Sequence, residues 1–420
     1  MTGARHDGKR RVVVTGLGAI TCVGQGKEGF WKGILAEKTG IRKARRFDVS
    51  SYRAQTTGEV NDFRPLDFFD AKRIRRLDRY AQMALVCAKM AIDDSGLKMD
   101  SKSRNPRWGV SMGTALGGIS EAEEQHGVFM KKGIQAVNPM LALLVFGGSS
   151  SSNISIEFGL TGPCTTSSNS CASGNIAIGE GYRYIRDGYT DVMLTGAAEA
   201  PLCPLTFAAF DRIKTMSTIQ DPSYACCPFD ARRDGFVMAE GGGTLLLESE
   251  EHALARGAHI YAELLGYGLN SDAYHMTASL PSGECAARCM NDALKDAGLQ
   301  PEEMDYINAH ASSTPMNDRN ETTAIKKVFG EHARRMAISG TKAYHGHSLG
   351  STGAMEAVTC ALALEHQHIP PTLNLEQRDP DCDLECTPLH GRKAKIRTTL
   401  SNSFGFGGVN ATIIMSRYEH

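Results

Sequence analysis

Asn169-Ser170-Cys171-Ala172-Ser173-Gly174-Asn175-Ile176-Ala177-Ile178-Gly179 is the stretch from which the rest of the chain can be read. A turn of small residues carries one thiol directly into a helical pattern. A helix N-terminus favours negative charge, so a cysteine placed there is expected to have a depressed pKa and more thiolate. A nucleophile needs that placement. Taken alone, the residue type also fits a buried structural cysteine.

Working outward, the same unit recurs: a β-branched run, a small-residue turn, then a helix. Residues 12–16, 108–112 and 191–196 read as buried strands, and residues 78–95 as a helix. In the second half, residues 260–267, 305–308 and 337–340 read as strands and 285–298 and 353–366 as helices. Residues 398–403 with 408–415 resemble a closing hairpin. Strand–helix alternation in two successive halves predicts a duplicated α/β unit with mixed sheets. The boundary is placed near residues 249–257, giving halves 1–255 and 256–420, with no flexible linker between them.

The composition narrows the possibilities. A chain of 420 residues suits one large or two fused domains, and 41% hydrophobic with 22% charged residues is globular. A net charge of −1 gives no global field for nucleic acid. Twelve scattered cysteines do not form a disulfide scaffold, and residues 1–11 are polar and basic with no apolar signal core. Both point to a reducing, cytoplasmic setting, although a mature protein of an organelle lumen reads the same way. No apolar run approaches the ~20 residues of a membrane span. Cys382, Cys386 and His390 have a loose zinc-like spacing but no fourth ligand in sequence. Gly16-Leu17-Gly18 superficially resembles a dinucleotide loop, yet Thr21 stands where the third glycine belongs, so nucleotide binding is not expected.

Two further segments carry chemistry: Asn308-Ala309-His310, and Thr341-Lys342 followed by Gly346-His347. A thiol, two imidazoles and an ammonium are the parts needed to take up an acyl group and form a bond to it. The first-half runs end in small residues, as strands do when they feed a site, and residues 305–308 and 337–340 are predicted strands that each deliver a site segment.

Together with Val12-Val13-Val14-Thr15-Gly16-Leu17-Gly18, Phe229-Asp230-Ala231-Arg232-Arg233-Asp234-Gly235-Phe236, Asn308-Ala309-His310-Ala311-Ser312-Ser313-Thr314-Pro315 and Asn402-Ser403-Phe404-Gly405-Phe406-Gly407-Gly408, these segments resemble the β-ketoacyl-(acyl carrier protein) synthases. Among these, the chain is most similar to the type II condensing enzyme of fatty-acid elongation. The resemblance implies a thiolase-like fold, layered α-β-α-β-α with mixed five-stranded sheets, and a homodimer. It implies that an acyl chain moves from its carrier protein to Cys171. Malonyl-carrier then loses carbon dioxide and attacks the thioester.

By the same resemblance, the amides of Cys171 and Phe406 form an oxyanion hole, and His310 and His347 donate to the enolate oxygen. Lys342 biases the local field. Glu321 is expected to pair with Lys342, with Asp318 one helical turn before it; the other reading of that pair is a solvated helix start. Ser312 and Thr314 match contacts to phosphopantetheine, Phe406 the gate to the acyl pocket, and Leu116 and Phe210 its wall. Lys72, Arg75, Arg76 and Lys214 match the patch that docks the acidic carrier. Asn308, Glu356 and Asn402 match a buried monovalent-cation site; their other reading is internal hydrogen bonding. No other cofactor is implied.

The chain departs from the elongation pattern at Asn169-Ser170, at Ala311-Ser312-Ser313 and at Ala343-Tyr344-His345, where His345 adds a third imidazole with no assigned purpose. Such changes suit a specialised synthase of polyene or polyketide chains as an alternative. Thiolase chemistry is disfavoured because a second cysteine acting as base is missing near the C-terminal loop. A non-catalytic partner subunit is disfavoured by Cys171.

Overall fold

Ten residues of uninterrupted burial, Val12–Thr21, form the strand on which the fold turns. The computed structural model describes residues 8–102, 104–387 and 389–419. Residues 1–7 of the polar start, read above as carrying no signal core, lie outside the described residues. The first half supplies β1 (Val12–Thr21), α1 (Arg79–Ser95), β2 (Trp108–Gly113), β3 (Cys164–Ser167), α2 (Ser173–Arg186), β4 (Val192–Glu199) and β5 (Gly241–Ser249). The second supplies β6 (Ala262–Ser271), α3 (Glu284–Ala297), β7 (Tyr306–Asn308), α4 (Pro315–Phe329), β8 (Ala337–Ser339), α5 (Thr352–His366), β9 (Thr398–Gly405) and β10 (Val409–Ser416).

Hydrogen bonding runs β8-β7-β9-β10-β6-β1-β5-β4-β2-β3. In each half the strands, counted in chain order, lie third, second, fourth, fifth, first. The signs repeat too: β2 is parallel to β3 and β4, and β7 is parallel to β8 and β9. The remaining pairs within each half are antiparallel. The two five-stranded sheets expected from sequence are thus present, but they are not separate. Val12–Val14 of β1 pairs with Leu264–Ala262 of β6 and makes them continuous.

The duplication reaches individual residues. A Cβ on Gly16 would lie 2.1 Å from the Ala91 carbonyl oxygen of α1, and one on Gly18 2.1 Å from that of Cys87. In the second half, Gly266 stands 2.3 Å by the same measure from the Ala293 carbonyl of α3, and Gly268 2.1 Å from that of Cys289. In both halves a Gly-x-Gly on the first strand meets Cys-x-x-x-Ala on the covering helix, so that helix and strand backbones touch. Gly16-Leu17-Gly18 therefore lies within β1 as a packing seam, not as a phosphate loop.

Helices α2 and α5 fill the space between the sheets, α2 against β4 and β2, α5 against β5 and β9. Their first turns are in van der Waals contact: a Cβ on Gly174 would sit 2.7 Å from Ala354 N, and one on Gly353 2.8 Å from Asn175 Oδ1. With α1 and α3 outside, the layers are α-β-α-β-α. Every residue from Thr352 to Leu364 is buried, so α5 has no polar face to turn to solvent. This middle pair brings the turns before the two helices together.

Candidate active site

Both middle helices start from a strained turn. Ser170, at φ +52, opens a single turn Ser170–Ala172 that leads into α2, and Leu349, at φ +46, opens Leu349–Ser351 that leads into α5. Non-glycine residues in the left-handed region persist only when their surroundings fix them, and they cluster at functional sites. The first turn carries Cys171; the second follows His347. His310 lies two residues beyond β7 and is followed by Ala311 at φ +38. Phe406 directly follows β9.

These residues share one cavity of about 400 Å³, with Cys171, His310, His347, Phe210 and Phe406 on its wall. Its rings form a chain. Phe406 stacks on Phe210 (6.2 Å), Phe210 meets Phe236 (5.9 Å), Phe236 meets His347 (5.3 Å) and His347 meets His310 (5.4 Å). Ser312, Thr314 and Lys214 line the mouth. The sequence reading missed Phe236 and Phe404 as wall residues, although both sit inside motifs quoted above.

The helix behind Cys171 is where the sequence placed it, but the thiol is not acidic in this state. Burial pushes its pKa up, against the lowering effects of Ser170, the Lys342 charge and the Phe406 N–H. Desolvation outweighs the favourable end of the helix, which corrects the expected depression. Ser170 Oγ lies 3.7 Å from the sulfur.

Both cavity imidazoles are neutral. Burial first, then Lys342, holds His310 and His347 well below the ordinary histidine value. His347 Nδ1 is 2.9 Å from the Thr352 hydroxyl. With that hydroxyl donating, Nε2 keeps the proton and His347 acts as an N–H donor. His310 Nδ1 is buried with no hydrogen-bond partner.

Lys342 is wholly buried, and the structure corrects its partner. Its ammonium lies 2.6 Å from Glu356 Oε1 and also donates to the His310 carbonyl oxygen. Glu321, expected to pair with Lys342, instead accepts the backbone N–H groups of His310 and Ala311, each at 2.8 Å, and Asn402 Nδ2 at 3.2 Å. Asp318 accepts Phe229 N–H at 2.9 Å and faces Arg233 at 3.5 Å. Neither carboxylate is solvated: Asp318 is 0% and Glu321 1% exposed. Burial pushes Glu321 and Glu356 up to about 7.

Asn308, Glu356 and Asn402 do not present a shared shell of free oxygens. Asn308 exchanges with Thr341, Asn402 Oδ1 accepts from Thr412, and Glu356 faces the Lys342 ammonium. Internal hydrogen bonding accounts for Asn308 and Asn402, while Glu356 keeps one buried carboxylate oxygen without a partner. Cys382 and Cys386 are buried, whereas His390 bonds Glu37 at the surface, and no cluster of three or more His, Cys, Asp or Glu side chains among the described residues is arranged to hold a metal. His345 is buried against Phe30 with Nδ1 2.9 Å from the Gly346 carbonyl; burial takes it down to about 4.

Of the expected pocket residues, Phe210 lines the cavity, and Leu116 packs in the cluster around Cys171 behind it. Lys72, Arg75 and Arg76 are exposed around the short helix Ala71–Ile74, while Arg73 turns inward to Glu157 and Asn153. Lys214 is exposed at the cavity mouth. No helix among the described residues is long and apolar enough to cross a membrane.

The sequence matches the family described as "Beta-ketoacyl synthase, N-terminal domain" over residues 9–253 and "Beta-ketoacyl synthase, C-terminal domain" over residues 261–376. A "3-oxoacyl-[acyl-carrier-protein] synthase 2" of Synechocystis sp. is 42% identical over 412 residues, 98% of this chain and 99% of that protein. One of the same name from Coxiella burnetii is 42% identical over 410 residues, 97% and 99% of the two chains. Among solved structures, "The ishigamide ketosynthase/chain length factor" superposes with a TM-score of 0.91 at 38% identity, covering 98% of this chain and 100% of that one. A ketosynthase in complex with a type II PKS acyl-carrier protein and bound to the hexaketide superposes at 0.89 with 37% identity and the same coverage.

Proposed function

This chain belongs to the β-ketoacyl synthase family, and we propose that it performs the decarboxylative Claisen condensation of fatty-acid elongation. The single observation that carries the reading is the convergence of Cys171, His310 and His347 on one apolar cavity.

The residues divide the work. Cys171 sulfur attacks the thioester of an acyl-carrier, and the departing pantetheine thiolate takes the thiol proton. We assign the oxyanion to the amides of Cys171 and Phe406, since donors fixed in a dry site stabilise such charge best. Malonyl-carrier then loses its carboxylate as carbon dioxide. The electron pair left on carbon becomes an enolate whose oxygen His310 and His347 face as neutral donors. That carbon attacks the Cys171 thioester, the carbon–sulfur bond breaks, and the thiolate returns. The product is a 3-oxoacyl-carrier two carbons longer. No external base for carbon is needed.

Lys342, paired with Glu356, acts from beneath by donating to the His310 carbonyl, and Glu321 accepts the N–H groups of His310 and Ala311 on either side of it. We assign Ser312 and Thr314 to the pantetheine arm, Phe406 and Phe210 to the gate, and Leu116 to the pocket wall. Lys72, Arg75, Arg76 and Lys214 are assigned to docking of the acidic carrier. The division into 1–255 and 256–420, a homodimer and a cytoplasmic setting complete the proposal.

Mixing the protein with acyl-carrier and malonyl-carrier and reading the mass of the carrier-borne product tests it. The lengthened 3-oxoacyl product is expected. Acyl uptake without any carbon–carbon bond formation would contradict it. A second reading, a ketosynthase of a polyene or polyketide pathway, is favoured by the superposition on the ishigamide and hexaketide-bound ketosynthases. Comparing saturated with polyunsaturated primers in the same assay separates the two.

A further inference from the structure

One buried carboxylate lies under both catalytic turns and has no part in the chemistry above. Glu199, the last residue of β4, is 0% exposed. Its Oε1 accepts the Thr114 hydroxyl at 3.0 Å and Leu116 N–H at 3.1 Å. Its Oε2 accepts Ala115 N–H at 2.5 Å and Gly350 N–H at 3.2 Å. No ion pair to it occurs among the described residues, and burial raises its pKa to about 7, so it carries its charge in the alkaline range where Cys171 ionises.

The two sides of that carboxylate lead to different catalytic groups. Gly350 sits in the turn Leu349–Ser351, three residues after His347. On the other side, the Thr114 carbonyl lies 3.1 Å from Ser173 Oγ, which is 2.7 Å from the Ser170 carbonyl and accepts Asn169 N–H at 2.8 Å. Those three contacts hold the left-handed Ser170 that aims Cys171. The fit is tight: a Cβ on Gly350 would stand 2.7 Å from Glu199 Oε2.

We propose that Glu199 is a positioning residue that fixes the spacing between the Cys171 turn and the His347 turn, by accepting N–H bonds from the supports of both at once. Leu116, on the acyl-pocket side, is registered by the same carboxylate. The charge has a second consequence. Of the charged groups facing the thiol, Lys342 lowers the Cys171 pKa and Glu199 raises it.

Glu199→Gln keeps the shape but turns an amide NH2 toward N–H groups that need an acceptor. The inference rests on the condensing reading for its kinetic arm, and alkylation of Cys171 by iodoacetamide tests it without any carrier. In Glu199→Gln, Cys171 acylation and malonyl decarboxylation should both fall, by about tenfold to a hundredfold, with KM for the carriers unchanged. The alkylation curve should move to lower pH because a negative charge beside the thiol is gone. Thr114→Val, which keeps the charge and loses one donor, should weaken both half-reactions less and leave the curve in place. It also serves if Glu199→Gln fails to fold, because unaltered half-reactions in Thr114→Val would then overturn the proposal. Wild-type half-reactions or an unmoved alkylation curve in a folded Glu199→Gln would overturn it directly. If wild type itself condenses nothing, a shifted alkylation curve still supports the placement of Glu199 while the condensing reading fails.

Discussion

The Lys342 ammonium and the Glu356 carboxylate lie 2.6 Å apart, and neither side chain has any exposed surface. The pair joins β8's outgoing turn to helix α5, the two elements that deliver His310's support and the His347 turn. The second carboxylate oxygen of Glu356 has no partner. Breaking such a buried pair from one side leaves an uncompensated charge and typically costs about 3–5 kcal/mol. Lys342→Met and Glu356→Gln should each lose stability on that scale in denaturant titrations. The double variant Lys342→Met/Glu356→Met should lose clearly less than the sum of the two.

The neutral histidines set the pH profile of decarboxylation. Because both imidazoles are held well below 6.5 in the folded protein, lowering pH through 6.5 does not protonate them. Malonyl decarboxylation should therefore keep its rate as the pH falls through 6.5 and decline only well below it. His310→Ala and His347→Ala should each slow decarboxylation by about 10²–10³-fold, the usual worth of one oxyanion donor. Acylation of Cys171 should survive both. Stopped-flow assays of each half-reaction measure this.

Cys171 should behave as a poorly ionised thiol in the free protein. Its pKa is raised by burial, so the thiolate fraction is small at neutral pH and grows only as pH rises beyond 9. Removing Lys342 removes a charge that favours the thiolate, so Lys342→Met should push iodoacetamide alkylation to higher pH still. An alkylation midpoint near neutrality would contradict this.

The stacked Phe210–Phe406 pair closes the cavity 6.2 Å apart, centroid to centroid. The loop that carries Phe406 depends on Gly407 and Gly408 at φ +86 and +76, and a Cβ on Gly408 would meet Asp272 Cβ at 2.9 Å. Phe210→Ala should widen the range of acyl chains that load, shown by intact mass across graded chain lengths. Gly408→Ala should slow loading of every chain alike, since left-handed backbone costs a side chain about 1–2 kcal/mol.

Much of this was legible in the sequence because a thiol before a helical pattern, two imidazoles and an ammonium stand in three segments that match a family's motifs in order, which marked Cys171, His310, Lys342 and His347 without any coordinates. The partner of Lys342 was not legible. Glu321 is near His310 in the chain, but Glu356 comes from a later helix, and only the packing of α5 decides which carboxylate reaches the ammonium. The Cys171 pKa failed for a related reason: a helix start is visible in sequence and the burial that outweighs it is not. Gly16-Leu17-Gly18 could be set aside as a phosphate loop from its spacing, but its packing role was not legible because that lies in Cys87 and Ala91, which stand far away in the chain. Glu199 closes a well-formed strand, and nothing in its neighbours there announces the four donors that converge on it.

Acylation of Cys171 is the step on which everything else depends. Intact mass should be recorded after incubation with acyl-carrier, beside a Cys171→Ala control, and again after adding malonyl-carrier. An adduct that forms on the wild type only and disappears with malonyl-carrier is the predicted result. An adduct that persists in Cys171→Ala, or one that malonyl-carrier leaves in place, would contradict it.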